Sequence, residues 1–156
     1  MKVRQDLGLV RDGLSVGWEF GAHSLAELTR IAEFLEHCVY EPGSLSAATG
    51  GARFVLRNPP LRMGAFSAIR VQWDGRAIPG DCATVQTGDD AEPRRLSEIT
   101  ALDPITFGFG RRTTFRLTMP SPTAGEHHIR VEWQSVAVPP LVWLEFREPI
   151  AGVAKA

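Results

Sequence analysis

The sequence predicts a mainly β fold, an antiparallel β-sandwich or jelly-roll-like domain with one N-terminal α-helix packed on it. Three observations predict this fold. Apolar and polar residues alternate with a period of two in six segments, Gly and Pro punctuate the chain throughout, and one stretch alone has helical spacing. The 15 Gly and 11 Pro lie between the segments instead of forming a linker, so we expect a single domain over residues 1–156.

The predicted helix covers about residues 24–38. Ser24 can cap its first turn, and Glu27 completes a capping box three residues later. The apolar residues that follow at helical spacing are Leu25, Leu28, Ile31, Ala32 and Leu35. Proline in the sequence Glu41-Pro42-Gly43 ends the helix. We expect the helix to cap an open end of the sandwich or to lie across one sheet, and residues 43–51 to form a surface loop.

The six alternating segments are predicted strands of sheets that have one buried face and one solvent-exposed face. They cover residues 14–20, 52–57, 67–73, 113–119, 128–133 and 142–147. The core residues expected from the alternation are Phe54, Ile69, Val71, Phe115, Leu117, Ile129, Val131 and Leu144. Asp74-Gly75 separates two apolar runs and predicts a two-residue hairpin. Residues 96–102 fit a short helical turn.

Composition and charge argue against several classes of protein. The hydrophobic fraction of 44% and the charged fraction of 22% indicate a globular chain and not a disordered one. The formal net charge is −1, whereas nucleic-acid-binding domains are usually basic, so we expect no nucleic-acid partner. No apolar run reaches the roughly 18 residues of a membrane span, and the N-terminus has no apolar signal region. We therefore expect no membrane association, and the two cysteines, Cys38 and Cys82, suit a reduced cytoplasmic setting.

The basic residues are unusual, because fifteen of them are Arg and only Lys2 and Lys155 are Lys. Genome composition is one explanation. Protein interfaces are another, since the planar guanidinium makes paired hydrogen bonds and stacks on aromatic rings. Both explanations remain open at the level of sequence.

No residue pattern predicts a catalytic or metal site in this chain. His127 and His128 are adjacent, so on a strand they point to opposite faces, and we interpret them as a solvated pair at a strand start. The chain has no G-x-S-x-G elbow, and a strand follows Phe107-Gly108-Phe109-Gly110 where a phosphate loop needs a helix. Cys82 is interpreted as a small core residue. We expect no catalytic residue, metal ligand or cofactor here.

Two apolar, proline-containing segments remain without a role in the core. They supply Pro59, Pro60, Leu61, Arg62 and Met63 in the first segment and Pro139, Pro140 and Trp143 in the second. Trp143 alternates with Leu144 and Phe146, so it points outward if those two are core residues. An outward Trp beside proline-rich loops is typical of an interface, and we predict that these eight residues contact a partner. The alternative is that a second layer of the same chain, such as the helix, covers Trp143.

Several motifs occur in an order that resembles a known family. They lie at residues 9–13 with 16–20, 54–57 with 60–64, 69–79, 96–99, 106–108 and 124–131. Residues 69–79 are close to a recurrent V-x-V-D-G-x-x-V-P, and residues 124–131 resemble P-G-E-H-x-V-x-V. The chain resembles the small (β) subunits of the bacterial C-glycoside deglycosidases. The resemblance covers most of residues 9–147, except roughly 21–51.

The resemblance implies a non-catalytic subunit of a carbon–carbon lyase. In that family a larger barrel-type α subunit acts on C-glycosides whose sugar is already oxidised to a 3-keto (3-oxo) form. A general base, expected to be His, removes the C2 proton, and a divalent metal, Mn²⁺ or Mg²⁺, stabilises the enolate before the aglycone leaves. The resemblance assigns these groups to the partner subunit. The small subunit would stabilise the large one and frame the mouth of its site.

Two other functions remain open. The chain could be a carbohydrate-binding or accessory β-sandwich without a lyase partner, or an enzyme whose site lies between its sheets. A tightly co-purifying larger subunit would separate the lyase subunit from both. A metal bound by this chain alone would favour the enzyme.

Overall fold

The computed structural model describes residues 3–6, 14–20, 39–40, 43–57, 63–107, 111–135 and 141–153. The described residues form thirteen strands and two short 3₁₀ turns. The strands are β1 (Val3–Asp6), β2 (Leu14–Phe20), β3 (Val39–Tyr40), β4 (Ser46–Ala48), β5 (Gly51–Arg57), β6 (Met63–Trp73), β7 (Arg76–Ile78), β8 (Ala83–Thr87), β9 (Arg94–Arg95), β10 (Ile105–Phe107), β11 (Arg112–Thr118), β12 (Glu126–Ser135) and β13 (Leu141–Pro149). The 3₁₀ turns are Gly80–Cys82 and Leu96–Glu98.

The strands form two antiparallel sheets. The seven-stranded sheet has the order β1-β2-β13-β12-β6-β10, with β7 paired to β6. The six-stranded sheet has the order β3-β5-β11-β8-β9, with β4 paired to β5. Each of the six segments predicted from alternation is a strand, and these strands make up the centres of both sheets. The prediction of a mainly β, sandwich-like fold is confirmed.

The alternating residues build the core shared by the two sheets. All eight residues predicted for it are buried, and none is more than 4% exposed. Phe54 stacks on Phe115 directly across β5 and β11, with ring centroids 4.9 Å apart. Phe54 also meets Phe146 of the other sheet edge-on at 5.5 Å. Because aromatic pairs contribute beyond their buried area, these rings hold the two sheets together.

One hairpin turn and one strand position depend on particular residue types. Asp74 and Gly75 have φ of 49° and 80°, which are the two left-handed conformations that a type I′ hairpin turn needs. The predicted Asp-Gly hairpin between β6 and β7 is therefore confirmed. At Gly51 a Cβ would lie 1.8 Å from the carbonyl oxygen of Leu117, so only glycine permits this approach of β5 to β11.

Other sequence predictions had mixed outcomes. The helix predicted at 24–38 lies outside the described residues. The surface loop predicted at 43–51 is wrong in part, because residues 46–48 form β4 and Leu45 is fully buried. A 3₁₀ turn at Leu96–Glu98 lies within the predicted helical turn. Among the described residues, no helix has the length and apolar character needed to cross a membrane.

The register of β11 can be tested with an adjacent pair of substitutions. Leu117 points into the core, whereas Thr118 is exposed on the opposite face. We expect Leu117→Asp to unfold the domain, because burial of an unpaired carboxylate costs several kcal/mol. Thr118→Asp is the matched control and should leave the midpoint of urea unfolding almost unchanged. Equal stability of the two variants would contradict this register.

Candidate functional site

The two histidines at the start of β12 lie on opposite faces of the sheet, as predicted. His127 shares the inner face with Ile129 and Val131 and is only 6% exposed. His128 lies on the outer face and is about a quarter exposed. The interpretation of a solvated pair is therefore wrong for His127, since the core covers it.

His127 is held by hydrogen bonds at both ring nitrogens. Its Nδ1 lies 2.7 Å from Asp74 Oδ2, and its Nε2 lies 2.7 Å from the carbonyl oxygen of Thr123. A carboxylate and a carbonyl can only accept, so both contacts are hydrogen bonds when the ring is an imidazolium, whose two nitrogens both donate. The ring also packs against Trp73, with centroids 4.7 Å apart, which favours a cation. We call Asp74, Thr123 and His127 the His127 clamp.

Asp74 also binds the main chain of β12. Its Oδ1 accepts a hydrogen bond from the backbone N–H of His128 at 2.9 Å. Its own backbone N–H donates to the carbonyl of His128 at 2.8 Å. The hairpin turn therefore holds the start of β12 through backbone and side chain together, and His127 completes the connection on the inner face.

The clamp shifts the pKa of both of its titratable groups. Burial lowers the pKa of His127, but the bonds to the Thr123 carbonyl and the Asp74 carboxylate outweigh it, so the pKa lies above its ordinary 6.5. Burial raises the pKa of Asp74, but the bonds from His128 and His127 outweigh it, so the pKa lies below its ordinary 3.8. The raised pKa of His127 adds stability below pH 6.5 that is lost as pH rises through the folded value. The lowered pKa of Asp74 adds stability above pH 3.8 that is lost as pH falls through its folded value.

A second polar cluster covers the outer face of β12 and β13. Arg130 Nε donates to Glu132 Oε1, and its Nη1 donates to Glu145 Oε1, both at 2.8 Å. The same guanidinium lies 5.1 Å from the ring centroid of Trp143. Burial lowers the pKa of Arg130, but the bonds to Glu145 and Glu132 outweigh it, so the pKa is raised. We call Arg130, Glu132, Glu145 and Trp143 the Arg130 cluster.

Neither cluster has the arrangement of an acid–base catalyst. Both ring nitrogens of His127 are occupied by protein acceptors, and both carboxylates of the Arg130 cluster are paired with one guanidinium. Across the described ranges, no group of three or more His, Cys, Asp and Glu is placed to hold a metal ion. The arrangement serves to fix strands and side chains in place.

Trp143 occupies a different environment from the one predicted. Its side chain points to the outer face, opposite Leu144 and Phe146, as the alternation predicts. It is nevertheless 2% exposed, so the prediction of an exposed Trp143 is wrong and the chain itself covers the indole. Arg130 is one of the groups that contact it. Contact of Trp143 with a partner stays a prediction.

The remaining residues of the predicted partner interface flank the described strands. Pro59, Pro60, Leu61, Arg62, Pro139 and Pro140 lie outside the described residues, and Met63 is the first residue of β6. Ser135 ends β12, Leu141 begins β13, and Ser135 pairs with Phe66 near the start of β6. Three of the strand ends that flank the two segments, Met63, Ser135 and Leu141, therefore lie at one end of the seven-stranded sheet. The fourth, Arg57, ends β5 of the six-stranded sheet.

Two further residues named from the sequence are also located. Cys82 is a half-buried free thiol at the end of a 3₁₀ turn and lines a cavity of about 300 Å³, so its interpretation as a core residue is wrong. Phe107 is buried, and strand β11 follows the glycine-containing segment, so the strand predicted after that segment is confirmed.

Sequence reasoning missed Asp74 as the partner of His127. The Asp-Gly turn and the Gly-Glu-His strand start are visible in the sequence, but their pairing is not.

Comparison with known proteins gives no family for the chain. Its sequence matches no protein-family model and no curated protein. Its function is therefore inferred from its residues, their contacts and the motif resemblance described above.

The His127 clamp gives a pH-dependent prediction. We expect Asp74→Asn to lower the free energy of unfolding by about 1–2 kcal/mol at about pH 5.5, because a charged hydrogen bond is lost. Half of the Asp74 side chain is exposed, which favours the lower figure. The difference should shrink at a higher pH, above the raised pKa of His127, because the native chain then loses that proton. Urea unfolding at both pH values measures it, with Asp89→Asn as control. An equal difference at both pH values would contradict the imidazolium.

Burial of Trp143 gives a second prediction for this face. We expect Trp143→Ala to destabilise the isolated chain by about 3–5 kcal/mol, because a large buried ring leaves a cavity. Trp143→Phe should cost less, since most of the apolar contact remains. The measurement is urea unfolding of the chain without any partner. Unchanged stability of Trp143→Ala would show that the indole is a contact surface for another molecule.

Proposed function

We propose that this chain is the small, non-catalytic subunit of a heteromeric C-glycoside deglycosidase. In this proposal it supports a larger, metal-dependent barrel subunit, which cleaves the carbon–carbon glycosidic bond of 3-oxo-C-glycosides by base-catalysed elimination. The observation that carries the proposal is the hydrogen bond between His127 and Asp74.

That hydrogen bond joins two of the sequence motifs that carry the resemblance. Asp74 belongs to the motif at residues 69–79 and His127 to the motif at residues 124–131, 53 positions further along the chain. Taken singly, an Asp-Gly turn or a Gly-Glu-His strand start is common in β-sandwiches. Here the two form one structural unit, so similarity in both motifs is similarity in a single three-dimensional feature.

The state of His127 supports a non-catalytic role. Its ring is buried and both of its nitrogens are bonded to protein atoms, so it has no free position from which to accept a substrate proton. The base and the divalent metal of the elimination are proposed for the large subunit, where the metal would stabilise the enolate. No step of the reaction is assigned to the side chains of this chain.

The proposed contact with the large subunit lies at the end of the seven-stranded sheet. The described residues Met63, Ser135 and Leu141 flank both proline-containing segments there. Proline-rich apolar segments lose little conformational entropy on binding, which suits a stable subunit contact. A reduced cytoplasmic setting is part of the proposal and fits the free thiol of Cys82.

The experiment is release of free aglycone from a 3-oxo-C-glucoside. We expect no release by this chain alone, and release when it is co-expressed with a barrel-type large subunit from the same genome. Chelation should abolish the activity, and Mn²⁺ or Mg²⁺ should restore it. A stand-alone carbohydrate-binding protein would neither co-purify with the large subunit nor change its activity. Aglycone released by this chain alone, or a large subunit that is fully active without it, would contradict the proposal.

A variant of His128 tests the non-catalytic assignment in the complex. His128 is the more exposed of the two histidines, and the proposal gives it no role in proton transfer. We expect His128→Ala to change kcat by less than about threefold, whereas loss of a general base costs about 10²–10⁴-fold. Unfolding of the variant complex is measured in parallel, so that a change in stability is separated from a change in rate. A loss of about 10³-fold in a folded complex would show that His128 takes part in catalysis.

A further inference from the structure

The outer face of the six-stranded sheet carries a transverse row of hydrogen-bond donors. Ser46 lies opposite Arg53, Arg53 opposite Arg116, Arg116 opposite Thr84, and Thr84 opposite Arg95. Directly opposed residues of antiparallel strands share a face, so the five side chains lie on one line across β4, β5, β11, β8 and β9. We call Arg53, Arg116 and Arg95 the Arg row.

The positive charges of the Arg row have no counter-charge within the described part of the chain. Arg53 and Arg116 are directly opposed like charges, which destabilises a strand pair. Arg53 Nε is buried and has no hydrogen-bond partner, although it is a strong donor. No carboxylate occupies a position in the row. Within the described residues, this arrangement places like charges together and leaves Arg53 Nε without a hydrogen-bond partner.

The nearest acidic group does not neutralise the row. Asp81 lines the same cavity of about 300 Å³ as Arg116 and Thr84. Its carboxylate accepts a hydrogen bond from Ser97 Oγ at 2.5 Å, and among the described residues it forms no ion pair with Arg116. The cavity instead adds hydroxyl groups beside Arg116, from Thr49, Thr84 and Thr118.

We propose that the Arg row is a docking site for a carboxylate-bearing segment of a partner protein. Neighbouring strands are about 5 Å apart, so the three guanidinium groups start from positions spread over about 14 Å of the sheet. A single small anion can reach one or two of them, whereas a segment with several Asp or Glu residues can reach all three. The planar guanidinium pairs with carboxylate through two parallel hydrogen bonds.

The inference goes beyond the proposed function and does not depend on it. The proposed contact with the large subunit lies at one end of the seven-stranded sheet, whereas the Arg row lies on the outer face of the other sheet. A chain with both sites could bind the large subunit through one sheet and an acidic segment through the other at the same time. A negative binding result for one site would not contradict the proposal for the other.

The test measures binding of the purified chain to a peptide of alternating Glu and Gly by fluorescence anisotropy. The Gln–Gly peptide of the same length is the neutral control, and inorganic phosphate and a single-stranded DNA oligonucleotide are the competing anions. The variants are Arg53→Gln and Arg116→Gln. The matched control is Arg147→Gln, which removes one exposed positive charge from β13 of the other sheet.

We expect the Glu–Gly peptide to bind and the Gln–Gly peptide not to bind. Arg53→Gln and Arg116→Gln should each weaken binding about tenfold, which corresponds to one charge-assisted hydrogen bond, and Arg147→Gln less than about twofold. Equal losses for Arg116→Gln and Arg147→Gln would overturn the proposal, because they would indicate attraction to overall charge. Binding of phosphate or DNA in place of the Glu–Gly peptide would overturn it in favour of another ligand.

Thermal unfolding separates a docking site from a structural role. If the Arg row serves a partner, relief of the Arg53–Arg116 repulsion in Arg116→Gln should raise the melting temperature by about 1–3 °C while binding weakens. If Arg116 instead stabilises the sheet, the melting temperature falls and the proposal is overturned. At the same concentration, the Glu–Gly peptide should raise the melting temperature of the native chain more than that of Arg116→Gln.

Discussion

The register of β12 is the constraint on which the other features of the seven-stranded sheet depend. β12 pairs with β13 on one side and β6 on the other, and Asp74 binds its first residues through both side chain and backbone. A slip of one residue would move His127 out of the core and bring Arg130 into it. A buried guanidinium without its carboxylates costs several kcal/mol, so the alternative register is strongly disfavoured.

The register of β12 also places the Arg130 cluster together on the outer face of the sheet. Trp143 lies opposite Glu132, so Arg130 can reach two carboxylates and the face of the ring at the same time. The aliphatic stem of an arginine covers apolar surface while its head remains paired. Arg130 therefore contributes both charge pairing and part of the apolar cover of Trp143.

Sequence alone was sufficient for contacts that repeat along a strand. Alternation placed Phe54, Phe115 and Val131 in the core, and the Asp-Gly pair placed a hairpin. It was insufficient for contacts set by pairing between distant strands. From the local sequence, His127 is expected to be solvated at the start of a strand. Its burial depends on the contact with Asp74, which lies 53 residues earlier in the chain. The opposition of Arg53 and Arg116 likewise depends on a pairing between residues 63 positions apart, which local pattern does not encode.

Two outward arginines, Arg130 and Arg53, have opposite surroundings in the two sheets. Arg130 on the seven-stranded sheet has a carboxylate from its own strand and another from its neighbour. Arg53 on the six-stranded sheet faces a second arginine and keeps a buried donor unsatisfied. Genome composition can account for the number of arginines in a chain, but it does not by itself place Arg53 opposite Arg116. Within the described residues neither side chain has a carboxylate partner, and in the proposal an acidic segment of another protein supplies the counter-charge.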